Sequence, residues 1–333
     1  MSVTLVTGGA GYIGSHAVKT LRARGETVIV YDNFSQGHRQ AAAHANAIVE
    51  GTIHDTARLV DAIRTHKADA VMHFAAWLSV GDSVKDPIGY YYNNVTGALS
   101  VLEALVTAGV QNLVFSSTCA VFGLPETTPI HEDLPKRPIN TYGETKLAIE
   151  HALPHYEKAY GLRTIALRYF NAAGADPEGE LGEDHDPELH VVPRAIDAAM
   201  GRGSFHVFGD DYPTPDGTCL RDYIHVNDLA SAHVLAVDAL RSGAGANAYN
   251  LGNGRPTSVH EVMASVERVT GRRVPYQLAP RREGDPAVLF ASSERIKRDL
   301  GWTPQYEDVD VIVETAWKWR EAHPEGYASK VSR

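Results

Sequence analysis

The sequence predicts an α/β fold in which a doubly wound parallel sheet carries a smaller C-terminal α/β domain. Three observations predict it. Short β-branched runs alternate with longer helical patterns as far as Asn171. A glycine cluster separates the first run from the first helical pattern. Beyond Asn171 the units become smaller and the connections richer in Gly, Pro and acid. A length of 333 residues suits about two domains. With 44% hydrophobic and 22% charged residues, the chain can bury a sizeable core.

Strands are expected at 3–7, 27–31, 70–74 and 113–116. Each run is short and apolar almost throughout, as parallel strands covered on both faces should be. Helices are expected between them at 12–24, 56–66 and 88–108. Gly25 and Gly109 stand where helix-ending glycines belong. A helix over 142–160 leads to a further strand at 165–169. Strand–helix alternation with short links implies a Rossmann-type doubly wound sheet. Residues 174–190 read as a long loop. Helices at 192–200, 227–240, 258–270 and 309–322, with a short strand at 206–208, complete the second domain. The division is 1–175 and 176–333, with chain excursions between the two allowed.

Composition excludes several functions. The net charge of −10 argues against binding a nucleic-acid backbone. Cys119 and Cys219 are the two cysteines, and no C-x-x-C pair occurs. A zinc ribbon, an iron–sulfur site and a disulfide framework are therefore not expected, and a reducing, cytoplasmic setting is. No apolar run approaches the ~20 residues that span a bilayer. The start, M-S-V-T-L-V-T-G-G, lacks the basic region and cleavage pattern of a signal peptide.

The loop Gly8-Gly9-Ala10-Gly11-Tyr12-Ile13-Gly14 lies between a strand and a helix. Glycines at 8, 11 and 14 permit a tight turn and the approach of a pyrophosphate to the helix N-terminus. Asp32 ends the next strand. A carboxylate there accepts from an adenosine ribose and repels a 2′-phosphate, which selects NAD over NADP. Tyr142 and Lys146 stand one helical turn apart on a shared face. A phenol with a free pKa of about 10 is a poor base at neutral pH, and a nearby ammonium and an oxidised nicotinamide favour its phenolate. Ser116-Ser117-Thr118 at a strand end completes the group.

The motifs G-G-A-G-Y-I-G, D-N after the second strand, F-S-S-T and Y-G-E-T-K together resemble the extended short-chain dehydrogenase/reductases. H-F-A-A, R-Y-F-N-A-A-G-A, F-G-D-D-Y-P-T-P-D-G-T, R-D-Y-I-H-V-N-D-L-A and R-R-E-G-D tighten the resemblance to their UDP-hexose 4-epimerase branch. It runs from Val3 to about Trp302. The resemblance implies Tyr142 as acid/base, Lys146 as its electrostatic partner and ribose ligand, and Thr118 as the hydroxyl on the sugar oxygen. It implies NAD held by Gly8, Gly11, Tyr12, Ile13, Gly14, Asp32, Asn33, Thr52, Ile53, Phe74, Ala75, Ala76, Asn93, Ser116, Tyr142, Lys146 and Phe170. It implies a UDP-sugar held by Thr118, Tyr142, Asn171, His190, Phe208, Arg221, Arg282, Asp285 and Leu289. The first domain would hold NAD, the second the nucleotide sugar, and the chain would form a homodimer through the 88–108 and 142–160 helices.

Three positions depart from the family pattern. Thr52 stands where Asp is frequent, Leu78 where some members carry a lysine, and Leu289 at the position that limits the sugar pocket. Two other functions are weighed. A 4,6-dehydratase carries Asp-Glu after the Ser/Thr, where this chain has Cys119-Ala120. A non-catalytic NAD sensor has no need of Tyr142 and Lys146. The cluster Glu183, Asp184, His185, Asp186, Glu188 and His190 is read as a solvated acidic loop with no metal, because its spacing matches no familiar ligand set. Tyr90-Tyr91-Tyr92 is read as packing or interface.

Overall fold

The apolar runs pair side by side in one parallel sheet. The structure, a computed structural model, describes residues 2–282 and 285–327. The sheet contains β1 (Val3–Thr7), β2 (Thr27–Asp32), β3 (Ala47–Glu50), β4 (Ala70–His73), β5 (Asn112–Ser116), β6 (Arg163–Arg168) and a seventh strand, Asn247–Asn250. Their order is 247–250, β6, β5, β4, β1, β2, β3, and every neighbouring pair is parallel. The order reverses between β1 and β4. The crevice beyond those strand ends is where doubly wound sheets bind ligands.

Alternate residues of each strand face opposite layers. Val6, Met72 and Val114 pack under α1 (Tyr12–Ala23) and the helix Val226–Arg241. Leu5, Val71, Leu113 and Phe115 pack under α2 (Thr56–His66) and the helices Gly97–Ala108 and Thr141–Tyr160. Full burial of each such aliphatic side chain contributes about 1.5–3 kcal/mol.

The sequence reading lacks two strands of this sheet, β3 and Asn247–Asn250. Both are edge strands. β3 is part-exposed throughout, and Asn247–Asn250 begins exposed, so neither carries a continuous apolar run. The helix Val226–Arg241 and the strand after it return the chain to the first layer. Trp302, fully buried, secures that return by donating its indole N–H to Asp228 O at 3.1 Å.

The expected 88–108 helix forms as Pro87–Tyr90, a π-helical turn at Tyr91–Thr96, and Gly97–Ala108. Asn94, buried within that turn, explains the interruption. Its Oδ1 accepts from Trp77 N at 2.8 Å, and its Nδ2 donates to Trp77 O at 3.0 Å and Thr145 Oγ1 at 3.2 Å. Drawing one side chain inward to the neighbouring loop and helix widens the turn.

The second unit packs around Val192, Ile196, Val262, Val266, Ile312 and Val313, from the helices Val191–Ala199, Val259–Thr270 and Val309–Ala322. Three small sheets accompany them. Phe205–Phe208 pairs with Tyr276–Ala279, and Asn171–Ala173 with Tyr223–His225. Leu220–Arg221 lies between Thr257–Ser258 and Val288–Leu289. Among the described residues, no helix is long and apolar enough to cross a membrane.

Candidate active site

Sterics at the sheet's reversal point require the glycine loop. Gly8 adopts φ +73°, and a Cβ there would lie 2.5 Å from Ala75 N. A Cβ on Gly14 would lie 2.2 Å from Gly8 O. The chain beyond β1 is thus pressed against Phe74 and Ala75 beyond β4. Gly11 caps α1 without a side chain, and the first turn holds no acid. The amides of Tyr12 and Ile13 therefore face the crevice without a side-chain acceptor, the arrangement that suits an anion.

Asp32 ends β2 and is buried. It accepts from Ala10 N at 3.0 Å and Phe34 N at 2.8 Å. Burial raises its pKa, and those amides pull it back. Asn33 Oδ1 accepts from Ser35 N at 3.1 Å. Thr52 O accepts from the Tyr31 phenol at 2.9 Å, and buried Ile53 packs against Gly97. Asn93 donates to Asn94 Oδ1 at 2.9 Å. Tyr12 directs its phenol to the second unit, donating to Gly174 O at 2.6 Å.

The reactive group gathers where β5 meets the helix Thr141–Tyr160. Asn140 caps that helix by accepting from Gly143 N at 2.9 Å, and Tyr142 N donates to Ser83 Oγ at 3.1 Å. Lys146 is buried and donates to Ser116 O at 2.8 Å. Thr118 lies beside the Tyr142 hydroxyl and favours its ionised form. Burial pushes Tyr142 up to about 12, with Thr118 opposing. Burial also pushes Lys146 down to about 7, with Glu150 opposing. The protein alone therefore holds the phenol neutral. Desolvation outweighs the support from Thr118, so a positive charge brought to the ring would favour the phenolate.

Buried residues absent from the sequence reading support this group. Glu150 pairs with Arg168 through contacts of 2.8 and 2.5 Å and accepts from Ser117 Oγ at 2.6 Å. A sequence signal exists, because Glu150 lies one turn after Lys146 on the same face. Ser116 Oγ bonds the Tyr169 hydroxyl at 2.6 Å.

In the second unit, Arg221 contacts Asp285 Oδ1 at 3.1 Å, and Arg282 contacts Asp285 Oδ2 at 2.7 Å. The Arg282 guanidinium lies 5.1 Å from the Phe208 ring, and Leu289 pairs with Arg221 across adjacent strands. Asn171 donates to Asp222 O at 3.0 Å. Asp222 is fully buried and accepts from Asn253 N at 2.9 Å and Ala291 N at 3.0 Å, so it is not a surface ion-pair partner of its neighbour Arg221, which pairs with Asp285. Phe170 and Leu289 both pack on the cluster of Cys119, Val121 and Phe122. Leu78 is exposed. Glu283 and Gly284 of the R-R-E-G-D motif lie outside the described residues.

The acidic segment differs from the expected solvated loop. Glu183 is 8% exposed, and His185, Glu188 and His190 are all part-buried around it. His190 stands apart from Arg221 and Asp285 in its contacts, with Nδ1 2.7 Å from Glu183 Oε1 and 3.1 Å from Glu188 Oε1. The reading fails because side chains at irregular spacing in a loop are gathered by the backbone path, which no periodicity reports. Of the tyrosine run, Tyr90 is buried against Trp77, and Tyr92 stacks on His54 at 4.2 Å.

Residues 4–252 match the NAD dependent epimerase/dehydratase family. The chain belongs to that family. The UDP-glucose 4-epimerase of Halalkalibacterium halodurans is 50% identical over 327 residues, covering 98% of this chain and 98% of that protein. The crystal structure of UDP-glucose 4-epimerase from Brucella ovis in complex with NAD is 52% identical, with a TM-score of 0.93, covering 95% of this chain and 98% of that one. The UDP-glucose-4-epimerase of Stenotrophomonas maltophila, with bound NAD and formylated UDP-arabinopyranose, is 40% identical with a TM-score of 0.93, covering 97% and 99%. The epimerase/dehydratase match takes in β1, the whole Tyr142 group and the seventh sheet strand.

Proposed function

We propose that this chain is an NAD-dependent UDP-glucose 4-epimerase, interconverting UDP-galactose and UDP-glucose through a 4-keto sugar. One observation carries the reading: part-buried Tyr142 stands with buried Thr118 and Lys146 at the end of β5, while Arg221 and Arg282 meet at Asp285 in the second unit. The cradle fits NAD, because a Cβ would fill its space and α1 offers uncapped amides. Gly8, Gly11, Tyr12, Ile13 and Gly14 would hold the pyrophosphate, and Asp32 and Asn33 the adenosine ribose. Thr52, Ile53, Phe74, Ala75, Ala76, Asn93, Ser116 and Phe170 would line the remainder.

NAD⁺, when bound, would supply the acceptor for a hydride from sugar C4 and the donor for its return to the opposite face. The positive ring would also favour the phenolate of Tyr142. Tyr142 takes the 4-hydroxyl proton and later gives it back. Thr118 orients the sugar oxygen, and Lys146 holds the proton balance beside it. Asn171, Phe208, Arg221, Arg282 and Asp285 retain the nucleotide while the sugar turns, two guanidinium forks suiting a diphosphate. His190 has Nε2 left for a nucleotide contact. Leu289 bounds the sugar pocket.

The chain acts as a homodimer in this reading, supported by the exposed apolar residues Val84, Ile88, Tyr91 and Tyr92. A cytoplasmic setting is supported by Cys119 and Cys219, both buried and free. The test incubates purified protein with UDP-galactose without added cofactor and separates the products. UDP-glucose is expected. Its absence, or a dehydrated sugar, overturns the reading.

A further inference from the structure

Four side chains with metal-binding atoms converge outside the reactive group. Atoms of Glu183, His185, Glu188 and His190, one from each, all lie within 4.8 Å of one another. His185 Nδ1 is 3.2 Å from Glu183 Oε1 and 3.6 Å from Glu188 Oε2. His190 Nδ1 is 2.7 Å from Glu183 Oε1 and 3.1 Å from Glu188 Oε1. Four ligands at zinc bond lengths would be separated by roughly 3.3–3.5 Å in a tetrahedron. The observed separations run from 2.7 to 3.6 Å, those to Glu188 being to its two different oxygens, so the side chains stand close enough to close on one ion with small adjustments.

A second observation points to a ligand there. Glu183 is more than nine-tenths buried, and its Oε1, with no solvent access, receives no hydrogen bond of acceptable geometry despite two imidazole nitrogens nearby. His185 Nδ1 is also buried without one. His190 Nδ1 hydrogen-bonds Glu188 Oε1 at 3.1 Å, whereas Glu183 Oε1 and His185 Nδ1 have no such partner. A buried carboxylate oxygen left so is costly. The neighbouring carboxylate group shows the contrast. Asp176, Glu178 and Glu180 surround Lys19 Nζ at 2.8, 2.5 and 2.9 Å, so that group already holds a cation.

We propose that Glu183, His185, Glu188 and His190 form a structural site for a divalent transition-metal ion of the zinc class. Two imidazoles and two carboxylates favour such an ion over calcium or magnesium, which take oxygen ligands. Two glutamates balance the dication's charge. Four protein ligands close the coordination sphere, which marks a structural rather than a catalytic site. The ion fastens the loop ahead of the helix Val191–Ala199 beside the cofactor cradle. His185 stands edge-on to Tyr12 at 6.2 Å, and Tyr12 belongs to the glycine loop.

The test dialyses the full chain against a chelator and titrates it with Zn²⁺ and, separately, Co²⁺. One equivalent per chain is expected, with the intense visible bands of tetrahedral Co²⁺ and a higher melting temperature in Zn²⁺. Glu183→Gln and His185→Ala should each weaken binding at least tenfold while retaining the wild-type circular dichroism. X-ray absorption of the zinc-loaded wild type should show two imidazoles and two oxygens, and it decides the matter if the variants misfold. No stoichiometric binding, undiminished affinity in folded variants, or fewer than two imidazoles around the zinc overturns the proposal.

Discussion

Lys146 Nζ lies 6.0 Å from the centre of the Tyr142 ring and donates its hydrogen bond to Ser116 O rather than to the phenol. Burial lowers the pKa of the Lys146 ammonium and raises that of the Tyr142 phenol, so each is held towards its neutral form. In the proposed reaction the positive ring of NAD⁺ would favour the phenolate of Tyr142.

Tyr142→Phe removes the proposed proton carrier but leaves the packing of the helix start. The variant should fold, retain nucleotide and lose about 10²–10⁴-fold in kcat. Steady-state assays with UDP-galactose check this, and near-wild-type turnover would move the proton to another group.

Lys146 gives stability a pH dependence. Its folded pKa, about 7, lies below its ordinary value of 10.5. Between those values the unfolded chain binds more protons, so this group's effect on stability improves as pH rises through that window. Below pH 7 the penalty of burying the ammonium is fully present. Lys146→Met in the cofactor-free protein should therefore gain melting temperature relative to wild type near pH 7, and that gain should shrink towards pH 10. Thermal melts across the range check it. A constant difference would contradict the assigned cause.

Arg168 and Glu150 are 4% and 6% exposed at their side chains. Arg168→Met strands the Glu150 carboxylate away from water. Breaking a buried pair in this way costs about 3–5 kcal/mol. Denaturant unfolding of the variant should show a loss of that size, and a loss under 1 kcal/mol would mean that water reaches Glu150.

Leu289 packs with Phe170 on the Cys119 cluster. Leu289→Tyr should narrow the sugar pocket and lower the rate on UDP-N-acetylglucosamine relative to UDP-glucose by roughly tenfold or more, the scale of about 1–3 kcal/mol per misfitted group. Competing the two sugars in one assay checks this, and an unchanged ratio removes Leu289 from the pocket wall.

Much of the cradle was legible because its chemistry is local. Gly8, Gly14 and Asp32 lie within one strand–helix–strand unit, where steric need sets the residue type at each place. Tyr142 and Lys146 were legible for the same reason, sharing one helical face. Arg221, Arg282 and Asp285 required the family motifs, since nothing in their spacing announces that they meet.

The linear sequence by itself determined the alternating fold, the tight glycine turn after β1 and the Tyr–Lys spacing, because each depends on interactions within a few turns of chain. Tertiary structure decided the rest. It returned residues 226–250 to the first sheet, set the Arg168–Glu150 pair behind Lys146, and drew Glu183, His185, Glu188 and His190 together. Those outcomes depend on which surfaces bury one another across the molecule. Edge strands and loop side chains carry no periodic signal of the partner they will meet.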